Sequence, residues 1–265
     1  MDNIFFVDPA IGGGALHLIL TLQANGDECE LPIHYNRLIQ AALYRVQDPE
    51  FSDFLHNVGF QLGDRQFRLF TFSRLLGRYR QLREEAAIRF EGPVQLVVSS
   101  PVIPFCQAVI NTILREDGLR LGRVNFRVVQ MATEKQTADS GSIVVETLSP
   151  VTIYSTLYRA DGRKYTQYFH PREKDFRELA YQNLRRKLQL IRGPEALEEA
   201  DRHPSFAIEP LNEPKMHLVK YKDTIIKGYS GRFRLTGHPD LLHAALDAGL
   251  GAKGSQGFGC LKKIG

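Results

Sequence analysis

The chain has 265 residues, 43% hydrophobic and 24% charged, with a formal net charge of +4. This composition excludes a disordered or fibrous chain and allows a proper hydrophobic core. The mild basic excess is compatible with a polyanionic partner. The chain lacks an apolar run long enough to span a membrane and shows no signal peptide pattern at its first residues. Three scattered cysteines without a CxxC pair argue against structural zinc or disulfides and predict a cytoplasmic location.

The first half of the chain alternates between strand-like and helical patterns. Apolar residues at helical spacing predict helices over residues 36–47 and 104–115. Asp48 and Pro49 predict the start of a further short helix that ends near Gly59. Strands are predicted at residues 15–23, 67–74, 91–99 and 123–130. The resulting order, β-α-β-β-α-β, is that of a ferredoxin-like unit.

The second half repeats this order less regularly. Helices are predicted over residues 172–192 and 239–248. Strands are predicted at residues 143–147, 151–158, 216–222, 224–235 and 257–264, with a hairpin turn near Lys222 and Asp223. A polar stretch at residues 133–142 separates an N-terminal domain (1–136) from a C-terminal domain (137–265). We therefore predict an α+β fold of two tandem ferredoxin-like domains, each with helices packed on one face of an antiparallel sheet.

Near the C-terminus, residues 249–259 form a glycine-rich segment, GLGAKGSQGFG. Glycine permits positive φ and close backbone approach, so the amides of this segment could cradle a phosphate. The spacing GxGxxG is that of a dinucleotide fingerprint, but a helix precedes it and too little chain follows for a βαβ unit. It is not a P-loop either. The plainer alternative is a flexible glycine turn before an edge strand.

Motifs in both halves resemble one known family. Residues 226–264 contain a GYxGxFxLxG strand, a helix with a Pro-Asp start and a terminal GLGxKxSxGFG loop. In the first half, the helix LIQAALY and the FLH that follows it fit the same pattern. On these motifs the chain resembles the CRISPR-associated repeat-RNA processing endoribonucleases of the RAMP superfamily. The resemblance spans most of the chain and is looser between residues 60 and 140.

The resemblance implies a metal-independent ribonuclease that needs no cofactor and cuts within CRISPR repeats to release guide RNAs. The 2′-hydroxyl of the RNA would attack the phosphate and leave a 2′,3′-cyclic phosphate and a 5′-hydroxyl. Two alternatives stay open: a repeat-RNA-binding protein or effector-complex subunit without catalysis, and a small-molecule enzyme that uses the glycine-rich segment for a nucleotide phosphate. The implied partner is CRISPR repeat RNA. Contacts with other effector-complex proteins and a homodimer are further options.

Four residues are the catalytic candidates. His56 is a histidine, the residue type most often used for acid–base catalysis, lies off the apolar stripe of its helix and matches the family's catalytic position. Tyr44 lies on the polar face of its helix and matches an active-site tyrosine of the family. Which of the two is acid and which is base stays open, and either could be an ordinary surface residue. The family often places a lysine after the histidine; here Arg65 and Arg68 are the candidates to stabilise the phosphorane, and His34 is in reserve.

RNA binding is predicted at the glycine-rich segment, at the basic face of the helix over residues 172–192, and in the GYxGxFxLxG strand. The residues are Gly249, Gly251, Lys253, Gly254, Ser255, Gln256, Gly257, Arg185, Arg186 and Arg232. A charge-rich helix face can also be merely solvated. Tyr221 and Tyr229 alternate with lysines and predict base stacking.

Overall fold

The computed structural model describes residues 16–116, 118–202 and 206–265, so the predicted strand start at Ala15 lies outside the described residues. The strands of the first half are β1 (Leu16–Ala24), β2 (Glu28–Pro32), β3 (Phe60–Leu62), β4 (Arg65–Phe67), β5 (Thr71–Phe72), β6 (Leu76–Leu82), β7 (Ala87–Ser100), β8 (Gly118–Leu121) and β9 (Val124–Lys135). The helices of this half are α1 (Asn36–Arg45), α2 (Pro49–Asp53) and α3 (Ile103–Glu116), and a π-helical turn, Phe54–Val58, continues α2.

The first sheet is ferredoxin-like in its strand order. β1 and β7 pair antiparallel, β9 pairs with the other edge of β1, and β5 and β6 pair with the other edge of β7. β2 pairs with the first part of β7, on the same edge that β1 occupies farther along that strand. β8 pairs with β9 and forms the edge of the sheet. Alternate side chains of β1 face α1 and α3. Leu20, Leu43 and Val109 represent this core, in which all three are fully buried.

The second half repeats the order with its own core. Its strands are β10 (Ser142–Thr147), β11 (Tyr154–Tyr158), β12 (Lys164–Tyr168), β13 (Ala207–Pro210), β14 (Lys215–Tyr221), β15 (Thr224–Ser230), β16 (Arg232–Thr236) and β17 (Leu261–Lys263). Its helices are α4 (Lys174–Arg192), α5 (Pro194–Asp201) and α6 (Pro239–Ala248). The sheet order is β13-β16-β10-β17, and β11–β12 and β14–β15 form separate hairpins. Val145, Leu184 and Leu242 are buried between this sheet and its helices.

The predicted α+β fold of two tandem ferredoxin-like units is confirmed. The predicted helices correspond to α1, α3, α4 and α6, and the short helix begins with Asp48, which accepts a hydrogen bond from the backbone N–H of Phe51 at 2.9 Å. Helix α5 and six strands have no counterpart in the prediction; the strands are β2, β3, β6, β8, β12 and β13. Across the described ranges, no helix is both long and apolar enough to cross a membrane.

Three predicted strands were too long. The strand predicted over residues 67–74 is interrupted at Leu69, which has a φ of 50° and packs in the core. The strand predicted over residues 224–235 divides at Gly231, so that β15 stays in its hairpin while β16 enters the main sheet. The strand predicted over residues 257–264 shrinks to β17, because Gly257 and Gly259 adopt positive φ.

The two halves pack directly against each other. The Thr71 hydroxyl donates to the carbonyl of Phe258 at 2.8 Å, and the Ser99 hydroxyl donates to the carbonyl of Asp247 at the same distance. Ala248, at the end of α6, is buried in the core of the first half. The end of α6 and the glycine-rich segment therefore lie at the junction of the halves.

Candidate functional site

A cleft of about 590 Å³ opens at this junction. The first half lines it from α1, from the π-helical turn and from β4 with the residues that follow. The second half lines it from α4, from the ends of its two hairpins and from the glycine-rich segment. The predicted site residues that the cleft gathers are Tyr44, His56, Arg65, Arg68, Gly251, Lys253, Gly254, Ser255 and Gln256. Residues from opposite ends of the sequence thus face one space.

His56 owes its position to the π-helical turn. The wider turn buries Leu55 in the core and leaves His56 exposed at the mouth of the cleft. Single π turns are frequent at functional sites because they re-aim one side chain. The imidazole Nδ1 lies 2.9 Å from the side-chain oxygen of Asn57, and Asn57 in turn donates to Asp53. This contact orients the ring and leaves Nε2 available to a substrate.

Arg68 holds the end of that turn. Its Nε donates to the carbonyl of Leu55 and a terminal nitrogen donates to the carbonyl of His56, both at 2.8 Å. A guanidinium at a helical C-terminus satisfies carbonyls that have no partner within the helix. Arg68 is therefore a positioning residue for His56 as well as a fixed positive charge beside the cleft.

The Tyr44 ring packs between the His56 ring at the cleft and the Phe70 ring in the core. Its ring centroid lies 6.1 Å from that of His56 and 5.8 Å from that of Phe70. Burial raises the pKa of the Tyr44 phenol, whereas the charge of Arg68 and hydrogen bonds with Ser255, Arg68 and Gln40 oppose this shift. The phenol oxygen is thus surrounded by hydrogen-bonding groups from both halves of the molecule.

The glycine-rich segment is held by close packing against the first half. A Cβ on Gly254 would lie 2.7 Å from the carbonyl oxygen of Phe70, and a Cβ on Gly257 would lie 2.5 Å from the ring of Phe72. The Asn36 amide donates to the carbonyl of Gln256 at 2.8 Å. Glycine is needed here because a side chain would separate the two halves. The segment is therefore a packed junction and not the flexible turn that the plainer alternative described.

The segment divides into packed and accessible members. Gly249, Gly251 and Gly257 are buried, and only Gly251 of these three lines the cleft. Lys253 has a φ of 61° and places its Nζ 5.0 Å from the centroid of the Tyr154 ring. Together with Ser255 it presents polar atoms to the cleft, so these half-buried polar side chains and not the buried glycines are available to a ligand.

Lys187 is the most buried charged group of the site. Its ammonium donates to the carbonyls of Ala248, Gly249 and Gly251 at 3.1, 2.6 and 2.9 Å. Burial lowers the pKa of Lys187 to about 7, while the three carbonyls favour the charged form. This lysine from α4 caps the end of α6 and fixes the start of the glycine-rich segment.

The predicted arginines of the second half lie in different places. Arg185 pairs with Asp201, outside the cleft. Arg186 lies close enough to Arg65 for the like charge to lower the pKa of Arg186, after the larger effect of burial. Arg232 is exposed on β16, whose buried residues point toward the helices, so Arg232 lies on the opposite face of the sheet.

Two further predictions concern the tyrosines of the hairpin β14–β15, of which Tyr221 lines the cleft, and the reserve candidate His34. Tyr221 and Tyr229 are only 9% and 8% exposed, so the prediction that they stack on bases is wrong. The Tyr221 hydroxyl instead donates to the side-chain oxygen of Gln40. The reserve candidate His34 lines a separate cavity of about 180 Å³ and accepts a hydrogen bond from the backbone N–H of Lys220 at 3.3 Å.

Several residues of the cleft escaped prediction from sequence. They lie on elements that pack against parts of the chain far away in sequence, and they are Gln40, Tyr154 and Asn183. Lys187 and Lys222 also line the cleft, and the sequence had pointed to them only as members of the basic helix and of the lysine–tyrosine stretch. Lys187 was visible as part of the basic helix, where its apolar neighbours Leu184 and Leu188 could have signalled burial. Over residues 16–116, 118–202 and 206–265, no three His, Cys, Asp or Glu side chains come close enough to hold a metal ion.

Two ferredoxin-like units that share a basic cleft define the chain as a tandem ferredoxin-like protein. Comparison with protein families shows which tandem ferredoxin-like family the chain matches. The family described as "CRISPR-associated protein Cas6, N-terminal" matches residues 30–132, and "CRISPR associated protein Cas6, C-terminal" matches residues 132–263. The chain belongs to the Cas6 family, and the predicted resemblance is confirmed.

Individual relatives agree with this assignment. The chain is 26% identical over 237 residues to the "CRISPR-associated endoribonuclease Cas6 1" of Methanocaldococcus jannaschii, covering 88% of this chain and 87% of the relative. A Cas6-related protein of Pyrococcus furiosus shares the fold with a TM-score of 0.77 at 20% identity, over 95% of this chain and 99% of that one. A structure described as "An RAMP protein binding different RNA substrates" gives a TM-score of 0.76 at 21% identity, over 94% and 100%.

Proposed function

We propose that this protein is an endoribonuclease that binds CRISPR repeat RNA and cleaves precursor transcripts into guide RNAs. The observation that carries the proposal is the meeting of Tyr44 and His56, 6.1 Å apart between ring centroids, in a cleft that also holds Arg65, Arg68 and Lys253. The family membership of the chain supports the same substrate, since curated relatives are named as CRISPR-associated endoribonucleases.

The proposed reaction uses the RNA as its own nucleophile. The 2′-hydroxyl loses its proton and attacks the adjacent phosphorus, the bond to the 5′-oxygen breaks, and that oxygen takes up a proton. The products are a 2′,3′-cyclic phosphate and a 5′-hydroxyl. Tyr44 and His56 are the two groups proposed to carry out these proton transfers, with the order between acceptor and donor left open. Positioned proton transfer of this kind contributes about 10²–10⁴-fold.

Positive charge would stabilise the pentacoordinate phosphorane. Arg68 is favoured for this role because two of its hydrogen bonds already fix the guanidinium beside His56. Arg65 is exposed in the cleft, and Arg186 is near enough for their like charges to interact, so both would add positive potential for the phosphates that flank the cut. Preorganised charge of this type acts in the transition state without reorganisation.

RNA binding is proposed for the accessible side chains of the cleft. Lys253, Ser255 and Gln256 line it directly, and a fixed backbone carries them. We further propose domain limits of 1–136 and 137–265 and a cytoplasmic location. Association with other effector-complex proteins and formation of a homodimer remain predictions from the sequence.

A cleavage assay in EDTA tests the proposal. Purified protein and repeat RNA should give one cut with a 2′,3′-cyclic phosphate and a 5′-hydroxyl, at a rate that EDTA leaves unchanged. An RNA with a 2′-deoxy sugar at the cut should bind equally well and stay intact. Tight binding without any cut would favour the alternative of a non-catalytic repeat-RNA-binding protein, and cleavage of the deoxy substrate would refute the proposed nucleophile.

A further inference from the structure

The hairpin β11–β12 has two faces with different surroundings. Its strands pair Tyr154 with Tyr168, Thr156 with Thr166 and Tyr158 with Lys164. Since alternate residues of a strand point to opposite sides, these three pairs share one face. We call it the tyrosine face, and it consists of Tyr154, Thr156, Tyr158, Lys164, Thr166 and Tyr168. The opposite face carries Leu157 and Tyr165.

The tyrosine face begins inside the cleft. Tyr154 lines the cleft, and the ammonium of Lys253 from the glycine-rich segment lies 5.0 Å from its ring centroid. The Tyr168 ring follows at 5.8 Å from that of Tyr154, and its hydroxyl donates to the carbonyl of Ile225 at 3.3 Å. These contacts hold the inner part of the face in a fixed orientation next to the proposed cut.

The outer part of the face is open to solvent. Tyr158 is 66% exposed, and the ammonium of Lys164 lies 5.7 Å from the centroid of its ring. Tyr154 and Tyr158 are four residues apart on one strand, which separates them by about 13 Å. The face therefore forms a row of rings and ammonium groups that leads from the cleft to the surface.

The chemistry of this row fits one kind of ligand. Exposed rings offer flat surfaces for nucleobases, and ammonium groups beside them attract phosphates. Residues 154–168 are all described, and their tyrosine face carries no acidic side chain. Asp161, in the hairpin turn, is paired with Arg163. A base-paired strand would hide its base surfaces, so the row suits unpaired nucleotides.

We propose that the tyrosine face is a stacking subsite for unpaired RNA nucleotides that flank the cut, with Tyr158 as its outer platform. The proposal rests on the proposed function, because nucleotides next to the cut can reach the tyrosine face only if the cleft itself binds RNA. It assigns the stacking to β11–β12, whereas the tyrosines of β14–β15 are buried.

The chain offers a matched control on the same hairpin. Tyr165 lies on the opposite face, where the guanidinium of Arg159 is 5.8 Å from its ring centroid. Tyr165→Ala removes the same ring with a similar cationic neighbour, but from the side that does not lead to the cleft. A general loss of hairpin stability would affect both variants.

The experiment measures binding of repeat RNA whose nucleotides are replaced one at a time by abasic sugars on both sides of the cut. Tyr158→Ala should weaken binding about fivefold to a hundredfold. One abasic position should weaken binding to the wild type by a similar factor. RNA with that abasic position should bind Tyr158→Ala no more weakly than it binds the wild type. Tyr158→Phe should bind like the wild type, and Tyr165→Ala should keep both the RNA affinity and the maximal cleavage rate of the wild type.

Several outcomes would overturn the subsite. One is an equal loss of RNA affinity in Tyr165→Ala, and another is a loss of affinity in Tyr158→Phe. A third is a loss of affinity in Tyr158→Ala that persists with every abasic RNA. If the wild type neither binds nor cleaves repeat RNA, the proposed function itself fails. If it cleaves normally and Tyr158→Ala binds as well as the wild type, only the subsite is wrong.

Discussion

The two walls of the cleft are built in different ways. The wall from the first half presents accessible side chains, with His56 and Arg65 exposed to solvent. The wall from the second half is a fixed surface, in which Lys187 is buried and the glycine-rich segment packs against the neighbouring backbone. Groups that exchange protons with a substrate need access, whereas a surface that positions a substrate needs rigidity. The difference supports the proposal that the first wall carries the chemistry and the second wall positions the substrate.

The largest expected effect concerns the first wall. His56→Ala should lower the rate of repeat-RNA cleavage at least about a hundredfold, because it removes a positioned proton-transfer group. RNA affinity should change little, since His56 is one of many groups in the cleft. Single-turnover cleavage and a separate binding titration measure the two quantities.

The matched control for this change is His34→Ala. His34 lies in the other cavity and contacts the backbone of Lys220, so its removal should leave cleavage nearly intact. A slow His34→Ala together with a normal His56→Ala would move the proton-transfer role to the smaller cavity. The assignment of chemistry to the first wall would then be wrong.

A smaller effect is expected at the second wall. Lys187→Met keeps a similar volume but leaves the carbonyls of Ala248, Gly249 and Gly251 without their donor. Buried polar groups without partners cost about 1–3 kcal/mol, so the free energy of unfolding should fall by that amount. RNA affinity should fall more than the maximal cleavage rate, because the segment would lose its fixed position.

Denaturant unfolding and RNA titration of Lys187→Met provide the measurements. Arg177→Met is the control, since Arg177 is an exposed cation on the same helix. Unchanged stability and affinity in Lys187→Met would show that the three hydrogen bonds do not hold the segment.

The smallest expected effect concerns the hairpin behind the second wall. Burial, with Arg74 and Lys215 nearby, lowers the pKa of His217 to about 4 from 6.5. The unfolded chain therefore binds more protons between these values, so stability is present above pH 6.5 and is lost as the pH falls toward 4. At this half-buried site solvent screening reduces the loss to about 1–2 kcal/mol.

Urea unfolding at pH 7 and pH 4.5 measures this loss. His217→Gln cannot take up a proton and should show a smaller decline between the two values. An equal decline in the variant and the wild type would assign the acid sensitivity to other groups.

The sequence predicted the fold because its main elements have strong local patterns. Helices α1, α3, α4 and α6 show apolar residues at helical spacing, and their order with the long strands defines two ferredoxin-like units. The short strands β2 and β13 lack such a pattern, since they depend on pairing with β7 and β16. The break at Leu69 could not be predicted, because a left-handed leucine is stable only where the core holds it.

The site was predictable only in part. Tyr44, His56, Arg65 and Arg68 could be singled out by residue type, by helix face or by resemblance, and the cleft contains all of them. The contribution of Gln40 depends on its contact with Tyr221 of the other half, and that of Lys187 on carbonyls about 60 residues away in sequence, which no local pattern encodes. The buried tyrosines of β14–β15 and the open ones of β11–β12 look alike in sequence, and only the packing distinguishes them.

The contact between Asn36 and Gln256 joins residues that are 220 positions apart. Pairings of such long sequence separation form late, because the chain must close a large loop before the contact stabilises it. A molecule with only its first half folded would therefore hold Tyr44 and His56 without an opposing wall. We expect nuclease competence to be acquired in the final folding step, so that incompletely folded molecules leave cellular RNA intact.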